Sequence, residues 1–160
     1  MNIQMMKRTN SRFFVAALLL ASILFTFSNV AYAQQEQPED CAPGISVFVS
    51  GVFYATPNDD HVTGSVEPDE IYGRQCHDFI DGLGGDDILR GGAGNDHVFG
   101  GPGNDALYGG QGMDRLIGGD GDDVLRGYNG DDFLDGGPGF DRCYGGPGVD
   151  VIINCEVVVP

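Results

Sequence analysis

The 160-residue sequence has no tryptophan and very little positive charge. It carries 8 Lys+Arg against 24 Asp+Glu, for a formal net charge of −16, and Lys7 is the single lysine. Three of the basic residues, Lys7, Arg8 and Arg12, lie in the first dozen positions, so the remainder has a charge of 5 − 24 = −19. This balance argues strongly against nucleic-acid binding, which requires cations to neutralise phosphates, and against electrostatic docking on anionic membranes. The lack of lysine also excludes P-loop and Schiff-base chemistry. A cation binder or a disordered acidic chain remains.

Residues 1–33 have the three-part layout of a secretory signal. Met1–Arg12 is polar and basic, Phe13–Val30 is almost wholly apolar, and Ala31-Tyr32-Ala33 has the small-x-small pattern of a cleavage site. The alternative is a retained membrane anchor, for which the apolar run is at the short limit. We predict cleavage after Ala33, no membrane insertion afterwards, and a secreted product that begins at Gln34 and resides in the extracellular space or the periplasm.

Glycine and aspartate recur with a strict nonapeptide period. Residues 82–153 hold eight nonapeptides, beginning GLGGDDILR and GGAGNDHVF, and residues 55–81 hold three further units that keep the phase while losing glycines. The first position is Gly in ten of the eleven units, and the eighth is aliphatic in ten, with Cys143 the exception. A flexible glycine-rich linker would not keep these columns in phase. The sixth position is Asp in all eleven: Asp60, Asp69, Asp78, Asp87, Asp96, Asp105, Asp114, Asp123, Asp132, Asp141 and Asp150.

The pattern GGxGxDxUx, with U a large aliphatic residue, resembles the RTX, or haemolysin-type, calcium-binding repeat of bacterial extracellular proteins. The resemblance implies an all-β fold, a right-handed parallel β-roll in which successive units go to opposite sheets and every second unit stacks. We therefore expect the calcium-binding roll at 82–153 and degenerate repeats at 55–81. Residues 34–54 would supply an N-terminal segment with a cap strand, and residues 154–160 a C-terminal cap.

The aspartates are the expected metal ligands. Stacked strands lie ~4.8 Å apart. Each strand with its turn forms one rung of the stack, and the carboxylates of neighbouring rungs would repel unless a cation lay between them. Ca²⁺ accepts six to eight oxygens with flexible geometry, whereas Mg²⁺ demands a stricter octahedron and Zn²⁺ prefers His and Cys. Counting intervals between stacked units predicts about six to nine Ca²⁺ ions. The expected ligands are Asp78, Asp87, Asp96, Asp105, Asp114, Asp123, Asp132, Asp141 and Asp150, with weaker support for Asp60 and Asp69, whose units lack the glycine at the fourth position.

Four cysteines in an exported chain predict two disulfides, for which three connectivities exist. Pairing within each end, Cys41 with Cys76 and Cys143 with Cys155, is favoured because each bridge would then fasten one cap to the roll. The terminal stretch DRCYGGPGVDVIINCE is similar to the ends of small secreted RTX proteins.

One outer face of the roll should carry alternating aromatic and basic side chains. Two interpretations are open: a platform for a ligand such as a sugar, or a ladder that stabilises itself through cation–π contacts. The residues are Tyr72, Arg90, Tyr108, Arg126 and Tyr144.

These features predict a secreted calcium-binding protein without catalytic activity, which folds as it binds calcium and has a structural, adhesive or extracellular-matrix role. The alternative is a non-catalytic accessory module for a partner protein, enzyme or glycan of the cell surface. An enzyme is disfavoured because residues 34–54 and 154–160 are too short for a catalytic domain. An exported toxin fragment would not carry an N-terminal signal, and an ice-binding solenoid would show a regular threonine ladder.

Overall fold

The computed structural model describes residues 41–159. The predicted signal segment 1–33 and residues 34–40 lie outside the described residues. Fourteen strands follow one another along the described chain. They are β1 (Pro43–Phe48), β2 (Val52–Tyr54), β3 (Asp59–Thr63), β4 (Glu70–Gln75), β5 (Phe79–Asp81), β6 (Ile88–Ala93), β7 (His97–Pro102), β8 (Ala106–Gln111), β9 (Arg115–Asp120), β10 (Val124–Asn129), β11 (Phe133–Asp135), β12 (Arg142–Tyr144), β13 (Val151–Ile153) and β14 (Val157–Val159).

The strands form two seven-stranded parallel sheets, which confirms the predicted two-sheet solenoid. Odd-numbered strands make the first sheet and even-numbered strands the second, each in sequence order from one end to the other. Neighbours in a sheet are two nonapeptides apart, as where Val98 pairs with Leu116 and Leu107 with Leu125. Each nonapeptide therefore supplies one turn and one strand. Residues 41–159 contain no helix long and apolar enough to cross a membrane.

The core is a double column of the aliphatic side chains at the eighth position. Alternation along a strand turns this position inward while the seventh and ninth face outward. Cys143 takes the aliphatic place at one end of the column and is equally buried. The fully buried aliphatic members are Val62, Ile71, Ile80, Leu89, Val98, Leu107, Leu116, Leu125 and Leu134.

Both ends depart from the nonapeptide frame. A single cap strand is expected within residues 34–54, but the chain bends around Gly51, whose φ is +81°, and supplies an edge strand to each sheet, β1 and β2. At the other end β14 pairs with β12, and Val157 lies opposite Arg142. Two full nonapeptides would place residue 160 there, so the last turn is three residues shorter than a repeat turn.

Glycine is needed in the turns because successive turns approach closely. Gly110 has a φ of +128°, and a Cβ there would overlap the carbonyl oxygen of Gly92 in the rung before. Three of the non-glycine residues that hold positive φ occupy the second position of imperfect units. These are Arg74 (φ 91°), Leu83 (φ 72°) and Tyr128 (φ 75°).

Candidate metal centre

The repeat aspartates are linked in two files by their own backbones. The N–H of Asp96 donates to Oδ1 of Asp114 at 2.8 Å, and the N–H of Asp114 donates to Oδ1 of Asp132 at 2.8 Å. The same bond joins each aspartate from Asp60 to Asp132 with the aspartate two units later. Because the strand register sets this contact, each carboxylate from Asp78 to Asp150 is joined through Oδ1 to the backbone of the rung before it.

The second carboxylate oxygen is the unusual atom. In eight of these aspartates Oδ2 is buried and receives no hydrogen bond from any residue of 41–159. A buried polar atom without a partner costs about 1–3 kcal/mol, and more when it is charged. Eight such atoms are comparable with the ~5–15 kcal/mol stability of a whole domain. The eight aspartates are Asp78, Asp87, Asp96, Asp105, Asp114, Asp123, Asp132 and Asp141.

In six of the eight units the first glycine lies beside both Oδ2 and a backbone carbonyl of the next rung. A Cβ on Gly82 would lie less than 3.0 Å both from Oδ2 of Asp87 and from the carbonyl oxygen of Gly100 in the next rung. Gly118 has the same relation to Asp123 and to the carbonyl of Gly136. The missing side chain thus leaves a cradle in which carboxylate and carbonyl oxygens converge, and this explains why glycine recurs at the first position.

The donor set of this cradle suits a hard dication. Carboxylate and carbonyl oxygens are the ligands of Ca²⁺, which tolerates irregular geometry and a variable number of donors. Neither nitrogen nor sulfur takes part, so Zn²⁺ and other borderline metals are poorly matched. A calcium ion would supply the eight oxygens with the partners that the protein itself does not offer.

Burial makes these carboxyls weak acids when no cation is present. It raises the pKa of Asp114 to about 7, and the charges of Asp96 and Asp132 add to the rise, while the hydrogen bond from the backbone of Asp96 opposes it. Burial likewise raises the pKa of Asp78 to about 8 and of Asp105 to about 6. A cation must therefore compete with protons at these positions near neutral pH.

Asp60 and Asp69 differ from the other aspartates because hydroxyl side chains satisfy them. The N–H of Thr56 donates to Oδ2 of Asp60 at 2.6 Å, and its hydroxyl donates at 2.8 Å. Ser65 does the same for Oδ2 of Asp69, at 2.6 and 3.0 Å. The sequence gives weaker support for calcium ligation at these two units, and the hydroxyl at their second position was a visible signal of another partner. Neither aspartate carries the unpartnered oxygen of the later units.

Asp150 ends the file of the first sheet. Its Oδ1 accepts the N–H of Asp132 at 3.0 Å, and its side chain is half-buried. It can therefore contribute to the interval that it shares with Asp132.

A second polar ladder, at the fifth position of the units, was not predicted from the sequence. Oδ1 of Asp86 accepts the N–H of Asn104 at 2.8 Å, and Oδ1 of Asn104 accepts the N–H of Asp122 at 3.0 Å. The imidazole Nδ1 of His77 accepts the N–H of Asn95 in the same way, at 2.7 Å. The recurrence of Asn and Asp in this column was the available signal. The ladder fixes the turn backbones around the carboxylates.

The disulfides have the predicted pairing. Cys41 is bonded to Cys76 with Cα atoms 5.6 Å apart, and Cys143 to Cys155 with Cα atoms 6.1 Å apart. Asp59 lies close to the sulfurs of Cys41 and Cys76. Because both sulfurs are in the disulfide, neither is available as a metal-binding thiolate.

The aromatic and basic face stacks on itself. The guanidinium of Arg90 lies between Tyr72 and Tyr108, 4.8 and 5.0 Å from their ring centroids, and Arg126 lies 4.6 Å from that of Tyr144. Arg90 also forms a 3.0 Å ion pair with Glu70. One guanidinium thus lies against each of the three rings, an arrangement that suits a ladder that stabilises the roll.

Comparison with known families agrees with this geometry. The model of the RTX calcium-binding nonapeptide repeat matches in four overlapping copies, at residues 54–89, 81–116, 108–143 and 117–152. Together these copies span most of both sheets. No curated protein and no solved structure matches the chain.

Proposed function

Because the chain belongs to the RTX family of calcium-binding nonapeptide repeat proteins, we propose that it is a secreted, non-catalytic protein that folds as it binds calcium. In the folded state it would act as a rigid structural or adhesive element outside the cell. The observation that carries the proposal is the series of eight buried carboxylate oxygens without partners among residues 41–159. Such a chain needs a cation to keep its roll closed at neutral pH.

The same oxygens give the stoichiometry. Seven intervals between stacked repeat aspartates begin at an aspartate with an unpartnered Oδ2, from the Asp78 and Asp96 pair to the Asp132 and Asp150 pair. The intervals that begin at Asp60 and Asp69 are supplied with hydrogen bonds by Thr56 and Ser65. We therefore expect seven calcium ions within the repeats.

Binding and folding would be one process. Strong negative charge and a thin core disfavour a compact state without metal, and the free energy of metal binding then becomes free energy of folding. A calcium titration followed by circular dichroism should show a cooperative gain of β-structure, with Mg²⁺ much less effective. A fully folded roll in excess chelator would refute calcium-driven folding.

Export is supported by two independent features. Residues 1–33 have the layout of a cleavable signal, and the two disulfides suit an oxidising compartment. N-terminal sequencing of the exported protein should begin at Gln34. Recovery of an intact chain in a membrane fraction would contradict export as a soluble product.

A non-catalytic role is supported by the kind of polar group that the protein buries. Within residues 41–159 the buried polar side chains are ten repeat aspartates, each engaged with a neighbouring rung. Oδ2 of eight of them lies beside the first glycine of its own unit. Pull-down with the calcium-loaded protein from its own cell surface would test the adhesive role and identify a protein or glycan partner.

A further inference from the structure

The shortened last turn brings an acidic residue to the place of a repeat aspartate. Val157 pairs with Arg142, so Glu156 stands opposite Asp141 in the strand register. Its Oε2 accepts the N–H of Asp141 at 2.7 Å, just as Oδ1 of Asp141 accepts the N–H of Asp123 at 2.8 Å. Glu156 therefore continues the carboxylate file beyond the last nonapeptide and beyond the residues that the family model matches.

The rest of the cradle is also present at this end. A Cβ on Gly136 would lie less than 3.0 Å from Oδ2 of Asp141 and from the carbonyl oxygen of Asn154. Gly118 has the same relation to Asp123 and to the carbonyl of Gly136, one rung earlier. Asn154 thus takes the role of a first-position glycine in a shortened turn.

An independent observation points to a ligand here. The side chain of Asp141 is fully buried, and its Oδ2 receives no hydrogen bond from residues 41–159. Glu156 is itself exposed, and its Oε2 is held in place by the Asp141 N–H. The Cys143–Cys155 disulfide holds the residue before Glu156 against the strand that follows Asp141. Two carboxylates and a carbonyl are therefore fixed around one cradle.

We propose that Asp141, Glu156 and the carbonyl of Asn154 form an eighth calcium site, which closes the C-terminal end of the roll. The inference rests on the proposed calcium-driven folding and extends it to a segment outside the nonapeptide pattern. The ion would join β14 to β12 through side chains in addition to the backbone ladder. It would thus protect the last strand of the second sheet, whose Val158 and Val159 are exposed.

The test compares wild type with Glu156→Gln and with a matched control, Glu67→Gln. The amide oxygen of Gln at position 156 can still accept the Asp141 N–H, so the strand pairing is retained while the charge is lost. Glu67 is an exposed glutamate in an N-terminal turn. Native mass spectrometry with Ca²⁺ alone should count one ion fewer in Glu156→Gln than in wild type, and no change in Glu67→Gln. Amide exchange in β14 should quicken, while exchange in β13 stays as in wild type.

The outcomes separate the two proposals. A wild-type chain that binds no calcium would refute the proposed function. If wild type binds calcium and Glu156→Gln binds the same number at the same midpoint, the eighth site is refuted and the repeat sites stand. A lost ion accompanied by lost protection in β13 would mean that Glu156 acts only in folding, and would also overturn the site.

Discussion

Asp96 and Asp114 share one hydrogen bond that assigns different roles to the two oxygens of a carboxylate. The backbone N–H of Asp96 donates to Oδ1 of Asp114 at 2.8 Å, whereas Oδ2 of Asp114 is buried without a partner among residues 41–159. One oxygen therefore fixes the register of the rungs, and the other is left for a cation. The same division in successive rungs makes the roll a folding scaffold and a row of metal sites at once.

Neutralising an aspartate in the middle of the roll should lower the number of bound calcium ions and stabilise the fold of the calcium-free protein. Asp114→Asn keeps an acceptor for the Asp96 N–H but removes the carboxylate from two intervals, those shared with Asp96 and with Asp132. We expect about two fewer ions in native mass spectrometry. The calcium midpoint, the calcium concentration at which folding is half complete, should be higher than in wild type. Without calcium, the variant should show more β-structure than wild type.

The control for this change is Asp120→Ala, at the exposed end of β9. It should alter neither the ion count nor the metal-free spectrum. An Asp114→Asn variant that folds at the wild-type calcium concentration with a full set of ions would show that Oδ2 is not a ligand.

The calcium-free chain should become more ordered on acidification. Burial raises the pKa of Asp78 to about 8, of Asp114 to about 7 and of Asp96 to about 6, from 3.8. Each folded carboxyl thus holds its proton more tightly than in the unfolded chain. The stabilisation is complete below pH 3.8 and is lost as pH rises through about 6 to 8. Circular dichroism of calcium-stripped protein should show more β-structure at pH 5 than at pH 8.

Calcium-loaded protein should respond in the opposite sense, since protons compete with the ion for the same oxygens. The calcium midpoint should move to higher concentration as the pH falls through about 8 to 6, the range of the raised pKa values of Asp78, Asp114 and Asp96. A midpoint independent of pH between 5 and 8 would contradict ligation by these aspartates.

The N-terminal rungs should remain the most protected part of the chain without calcium. Thr56 and Ser65 satisfy Asp60 and Asp69 without a metal, and the Cys41–Cys76 disulfide closes the same end. Amide exchange of calcium-stripped protein should be slower in β3 and β4 than in β8–β11. Ser65→Ala should weaken this difference by about 1 kcal/mol, the net contribution of one hydrogen bond. Uniform exchange along the roll would argue against a metal-independent end.

Glycine at the second position of two imperfect nonapeptides should stabilise the folded roll. Leu83 and Tyr128 hold φ values of 72° and 75°, where a side chain costs roughly 1–2 kcal/mol. Leu83→Gly and Tyr128→Gly should each lower the calcium midpoint, although the greater freedom of glycine in the unfolded chain offsets part of the gain. Met113→Gly, at another exposed turn position but without a positive φ, should raise the midpoint. If all three variants weaken folding equally, backbone strain is not released.

Much of the fold could be predicted from the sequence because its interactions repeat with a fixed period. Asp at the sixth position and an aliphatic residue at the eighth indicate a turn followed by a strand with one inward column. Stacking of every second unit then places Leu107 beside Leu125. The disulfide pairing followed because each end of a solenoid has two cysteines within a short stretch. These features depend on local pattern and on stacking order, both of which one sequence displays.

Only the tertiary structure decided how each carboxylate oxygen is used. The hydroxyl of Ser65 is visible in the sequence, but only the structure shows that it donates to Oδ2 of Asp69 and that Oδ2 of Asp87 is left without a partner among residues 41–159. The role of Glu156 depends on the register of β14, which falls three residues short of two nonapeptides. The nonapeptide period does not predict this register. A nonapeptide pattern determines which residues recur, whereas the closure of the turns in space determines which of them a cation can reach.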